Sequence, residues 1–148
     1  MKSLLRVAIA TALMLGAGAV FAAENTPVGT WKTIDDQTGK PKSIVQITDN
    51  GGELKATVLQ VLQSDEGPHP LCKNCDGERK DQPIEGMNIM WGVHQDGDVW
   101  DGGKILDPKT GKVYKVKLET VDGGAKLNVR GYIGFSLLGR SQVWERQP

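Results

Sequence analysis

Little in this 148-residue chain is suited to catalysis. It has two Cys, two His and an aromatic content of only 5%. Neither Gly-x-Gly-x-x-Gly nor a P-loop occurs, so the common phosphate-cradling glycine motifs are missing. His69 and His94 are the only imidazoles, and neither lies in a nucleophile motif, so a Ser or Cys hydrolase has no visible base. Eighteen acids leave glycoside chemistry formally open, but their spacing singles out no pair. An excess of one charge is also lacking. Lys+Arg and Asp+Glu are 18 each, for a formal net charge of +0. A nucleic-acid binder normally carries a basic footprint, and an anionic membrane would not hold this chain by net charge alone. No long apolar run follows the N-terminus, and we see no helical stripe, internal repeat or low-complexity tract. The charged content of 24% and hydrophobic content of 39% nonetheless fit a folded globular protein, and the length fits one domain.

The abundant residue is Gly: 19 of 148, about twice the usual ~7%. Lys2 and Arg6 precede an uncharged stretch rich in Ala and Leu over residues 7–20, and Val20-Phe21-Ala22 then places small residues where a signal peptidase reads them. The pattern is that of a secretory signal peptide, with cleavage expected after Ala22, or alternatively after Ala23. The apolar stretch is shorter than the ~20 residues of a membrane span, so no transmembrane anchor is expected in the mature chain. No Cys follows the cleavage site, which argues against a lipoprotein anchor. The expected organisation is therefore a leader over residues 1–22 and one domain over 23–148, exported to the periplasm or secreted.

The mature chain reads as strand, turn, strand. Thr38-Gly39, Asn50-Gly51-Gly52, Asp96-Gly97, Asp101-Gly102-Gly103, Thr110-Gly111 and Asp122-Gly123-Gly124 punctuate it, and such pairs supply the positive φ angles of tight turns. Between them lie period-two runs. Over 112–121, Tyr114, Val116, Leu118 and Thr120 share one face and Lys115, Lys117 and Glu119 the other; over 126–131, Leu127 and Val129 alternate with Lys126, Asn128 and Arg130. Such alternation marks half-buried antiparallel strands. Further strands are expected over 29–35, 43–48, 54–62, 88–94, 99–106 and 141–146. About eight strands joined mostly by short turns favour nearest-neighbour pairing, and closure removes the two exposed edges. The fold class is thus all-β: an antiparallel up-and-down meander closed into a barrel. A two-sheet sandwich is the rival, with residues 63–83 as its one crossing connection long enough.

Cys72-Lys73-Asn74-Cys75 holds both cysteines, in a loop rich in Gly and Pro. A local disulfide in an oxidising compartment is the plainest reading. A thiol–disulfide catalyst would need a helix N-terminus in a βαβ setting, which the surrounding pattern lacks. Metal binding by His69, Cys72 and Cys75 would need a fourth ligand or a water, and haem attachment would need His where Asp76 stands. Asp96, Asp98 and Asp101 read as turn carboxylates, since the EF-hand spacing fails. No metal and no cofactor are expected.

The mature aromatics are Trp31, Trp91, Trp100, Trp144, Tyr114, Tyr132 and Phe135. Trp and Tyr suit a pocket wall or mouth as well as a core. Trp31 falls in the first strand and Trp144 and Arg146 in the last, so closure would bring a guanidinium from Arg130, Arg140 or Arg146 over an indole at the seam.

Three segments carry a likeness to a known family. They are Gly29-x-Trp31 followed by Asp35-Asp36 and Thr38-Gly39-Lys40-Pro41, then Trp100-Asp101-Gly102-Gly103-Lys104-Ile105-Leu106-Asp107-Pro108 with Gly111-Lys112 and Tyr114, and finally Val129-Arg130-Gly131-Tyr132-Ile133-Gly134 with Gly139-Arg140, Trp144 and Arg146. Together with the Cys-x-x-Cys loop and Pro83-Ile84-x-Gly86, they resemble the exported bacterial family catalogued as domain of unknown function 2147. That resemblance implies a lipocalin-like barrel, and it brings no activity and no catalytic residue.

Two non-enzymatic functions compete, with a thiol enzyme using Cys72 and Cys75 ranked last. The first is a binding module for a small, mostly apolar or amphipathic ligand, with Trp31, Trp100, Tyr114, Tyr132 and Arg130 as contact residues and Arg130 as a carboxylate anchor. The alternation along its strand also allows Arg130 to face outward. The second is a filled barrel acting in envelope interactions, with residues 133–138, including Phe135, Leu137 and Leu138, meeting a partner or lipid.

Overall fold

The computed structural model describes residues 25–148. The expected leader and its cleavage site at Ala22 or Ala23 lie outside the described residues. The chain forms eight strands: β1 (Gly29–Ile34), β2 (Pro41–Asn50), β3 (Glu53–Val61), β4 (Asn88–Asp96), β5 (Val99–Asp107), β6 (Lys112–Val121), β7 (Lys126–Tyr132) and β8 (Arg140–Arg146). Each pairs antiparallel with the next, and β1 pairs with β8, so the sheet closes in the order β1 to β8. All eight expected strands appear, with boundaries shifted by no more than two residues.

The turns show why the pairing is local. Asn50 pairs with Glu53 around Gly51 (φ 67°) and Gly52 (φ 94°), and two positive φ angles in succession give the hairpin twist that matches the strands. The residue 62–87 connection does not cross to another sheet, because β3 and β4 on either side of it pair directly. The sandwich rival falls with that pairing. The connection instead satisfies its own backbone and folds back: Leu71 bridges to Pro83, Cys72 N–H donates to Gln82 O, and Asn74 Nδ2 donates to Lys109 O. A Cβ on Gly111 would lie 1.8 Å from Asn74 O, so the β5–β6 turn admits the loop only because that position is Gly.

Closure is made at few positions. Trp31 pairs with Arg146 and Lys32 with Glu145, with a 3.0 Å Lys32–Glu145 ion pair. The Arg146 guanidinium lies 4.3 Å from the centroid of the Trp31 ring and donates to the carbonyls of Gly124, Val28 and Thr26. Trp31 is fully buried, and its Nε1 donates to Pro27 O at 2.8 Å. This end of the barrel is therefore plugged by an indole, a guanidinium and the segment entering β1. At the other end Arg140, starting β8, forms a forked ion pair with Asp36, just past β1.

The core fills only part of the interior. Eight strands leave a lumen that side chains can just fill. Toward the plugged end the inward positions carry Trp31, Ile47, Trp100, Leu118 and Leu127, all buried. Toward the other end Thr33, Ser43, Val58, Val129 and Gly131 stand among the larger Ile105, Tyr114, Gln142 and Trp144. Shorter side chains in the same lumen leave space.

Candidate functional site

That space is a cavity of about 640 Å3 at the end of the barrel opposite Arg146. Its inner wall is built from Val58, Ile105, Tyr114, Val129, Gly131 and Trp144. Its rim comes from Asp35 and the start of β2 (Lys42), the long loop (Glu66, Pro70, Leu71, Lys73) and the end of β5 with the turn after it (Asp107, Lys109), with Arg140 closing the ring. The volume lies within the usual ~300–1,000 Å3 of small-molecule sites.

The chemistry grades from apolar within to polar at the rim. Thr33 and Ser43 share a 2.8 Å hydroxyl–hydroxyl bond, and Gln142 Oε1 accepts from Trp144 Nε1 at 3.3 Å, so these four polar groups inside are partnered. At the rim acids and bases balance. Arg140 holds the Asp36 carboxyl below its ordinary pKa through the forked hydrogen bonds, and Asp36 in turn raises Arg140. Asp35 is lowered because it accepts the backbone N–H groups of Gln37 and Thr38, which shapes the β1–β2 turn. Lys73 pairs with Glu66 at 3.3 Å across the long loop. Farther out, Glu85 accepts from His69 at 2.8 Å and from Val61 N–H, and both bonds lower its pKa. These pairs fix the loops that frame the opening.

Cys72 and Cys75 are joined in a disulfide, with both residues buried and Cα atoms 5.4 Å apart. Cys72 Sγ also lies 3.3 Å from Pro108 O. The sequence alone places this pair in a polar loop. The fold packs it into the hydrophobic core, because the loop lies back on the β5–β6 turn. The His69, Cys72 and Cys75 trio is not gathered: the sulfurs are bonded to each other and His69 turns to Glu85.

Among the residues singled out from sequence, Tyr114 lines the cavity. Trp31 sits at the plugged end beneath Arg146, and Trp100, opposite Leu118, packs toward that end. Arg130 and Tyr132 lie on the outer face, out of phase with the inward Leu127 and Val129; Arg130 Nη1 donates to Ser141 Oγ at 3.0 Å. The guanidinium over Trp31 belongs to Arg146. Sequence reasoning passed over Ile105, Val129, Gly131 and Gln142. The available signal was the period-two phase of β7, which puts Val129 and Gly131 on the same inward face as Leu127.

A family model described as "Uncharacterized protein conserved in bacteria (DUF2147)" matches residues 29–146. Among solved structures, the fold is similar to that of protein HP1028 from the human pathogen Helicobacter pylori, described as belonging to the lipocalin family. The TM-score is 0.71 at 19% identity, over 85% of this chain and 84% of that one. No curated protein matches the chain in sequence.

Proposed function

We propose a function from the premise that the chain belongs to the bacterial family DUF2147: it is an exported, non-enzymatic binding protein that holds a small, mostly apolar ligand in the open half of its barrel. The observation that carries this reading is the apolar-walled cavity of about 640 Å3, continuous with a polar rim. Burying an apolar ligand there gains roughly 25 cal/mol per Å2 of apolar surface removed from water, and the paired interior hydroxyls require nothing of the ligand. The Tyr114 hydroxyl, which has no protein partner among the described residues, and the charged rim suit the polar end of an amphipathic molecule. The lipocalin description of the structural neighbour supports the same reading at the level of fold.

Gly131 supplies the test. It faces the cavity with an ordinary φ, and a Cβ there would sit 3.5 Å from Tyr114 Cβ, an ordinary contact. Gly131→Phe should therefore fill the cavity without straining the backbone. Native mass spectrometry of protein purified from its own cells is expected to show a copurified small molecule, and an apolar fluorescent probe should bind. Gly131→Phe should weaken probe binding by about tenfold or more, equivalent to ~1.4 kcal/mol, with an unchanged melting temperature. Binding that is equal in both proteins would remove the cavity as the site.

A further inference from the structure

A second surface lies outside the barrel. The register places Lys104 of β5 directly opposite Lys115 of β6, and Lys117 of β6 directly opposite Arg130 of β7. Like charges directly opposite on neighbouring strands repel, and here two such pairs adjoin. No carboxylate forms an ion pair with Lys104, Lys115 or Lys117 among the described residues. The outward acids on these strands, Asp101 and Glu119, lie toward the plugged end, so the half near the cavity mouth is cationic.

The same half is apolar at its edge. Ile133 forms a hollow of about 260 Å3 with Lys104, Lys115, Tyr132 and Val113. The β7–β8 loop then continues through Phe135, Leu137 and Leu138, which are 78%, 89% and 77% exposed. These are the most exposed large hydrophobic side chains described. An exposed apolar loop beside Lys104, Lys115 and Lys117, which form no ion pair among the described residues, marks an interaction surface rather than ordinary scatter.

We infer that this face docks on an anionic lipid bilayer: the Phe135, Leu137 and Leu138 loop inserts at the interface while Lys104, Lys115, Lys117 and Arg130 meet the headgroups. Charge complementarity selects that occupant. The lysine ammoniums stand side by side with no acid between them, an array that a diffuse layer of headgroup charge satisfies without fixed geometry. The overall charge balance gives no hint of it, because pairing across β5, β6 and β7 is what gathers the cations. The inference goes beyond the cavity reading, since none of the three lysines lines the cavity.

The test uses the mature species recovered from cells expressing the full chain, its N-terminus fixed by intact mass. It is floated with phosphatidylcholine vesicles prepared with and without phosphatidylglycerol, at low and high salt. Binding is expected only with phosphatidylglycerol and should weaken with salt. The double variant Lys115→Glu with Lys117→Glu turns both repelling pairs into attracting ones. Its melting temperature should be no lower than wild type, while vesicle binding falls by about tenfold or more. Phe135→Ser with Leu137→Ser should also weaken binding. Equal flotation with either lipid, or wild-type binding by the charge-reversed variant, would overturn the inference. So would a lower melting temperature of that variant, or retention of an acidic protein without lipid binding. Probe uptake by the cavity should be the same in the charge-reversed variant, so failure here leaves the cavity reading standing.

Discussion

Replacing Arg146 by Ala should be among the most costly substitutions distant from the cavity. Among the described residues the guanidinium donates to the carbonyls of Gly124 at 2.6 Å, Val28 at 2.9 Å and Thr26, and it covers the Trp31 ring at 4.3 Å. A hydrogen bond to a charged group contributes ~1.5–3 kcal/mol net, and a desolvated cation–π contact about 2 kcal/mol. The contributions do not add, because one rigid group fixes all four contacts and water can re-solvate carbonyls at the barrel end. A net loss of about 3–4 kcal/mol follows, or a fall in melting temperature of roughly 10–20 °C for a domain of this size. Arg146→Lys keeps the charge but loses the planar fork, and should lose about half as much. Urea unfolding followed by tryptophan fluorescence, with calorimetry alongside, measures both. An Arg146→Ala midpoint equivalent to less than about 1 kcal/mol would refute the account of the plugged end as the lock of the barrel.

Gly29 tests the same contact from the other side. Its φ is 142° and a Cβ would lie 2.5 Å from Arg146 Nη1, so Gly29→Ala should cost ~2–3 kcal/mol. Combined with Arg146→Ala it should cost less than the sum, which a double-mutant cycle reads directly. Replacing Cys72 and Cys75 together by Ser opens a closed loop of only a few residues and should lower stability by about 2 kcal/mol, seen as a shifted urea midpoint. Asp35, Asp36 and Glu85 have folded pKa values below their unfolded ones. On acidification the unfolded chain takes up protons first. The stability these groups contribute is therefore present above their unfolded pKa values and lost as the pH falls through the folded ones, below about pH 4. Thermal melts across that range should show the decline, and Asp36→Asn should make it shallower.

The strands were legible because alternation is a local signal. Tyr114-Lys115-Val116-Lys117-Leu118 declares its two faces without reference to any partner, and Asn50-Gly51-Gly52 declares its turn. The seam was legible too, as a cation over an indole, but three arginines qualified equally. The choice of Arg146 depends on the β1–β8 register that sets it opposite Trp31. The cavity was hidden for a related reason. It is produced by short side chains on strands distant in sequence, Thr33 and Ser43 against Val129 and Gly131, which share one end of the lumen only after closure.

The sequence by itself determined the strand count, the turn positions, the antiparallel order and the family likeness, because each rests on neighbours within a few residues or on motifs read in line. Tertiary structure alone decided that the barrel is packed at one end and open at the other, that Cys72 and Cys75 lie in the core, and that lysines of an electrically balanced chain stand together on one face. Those properties depend on registers between strands, and a register is fixed by packing across the closed sheet rather than by any one segment.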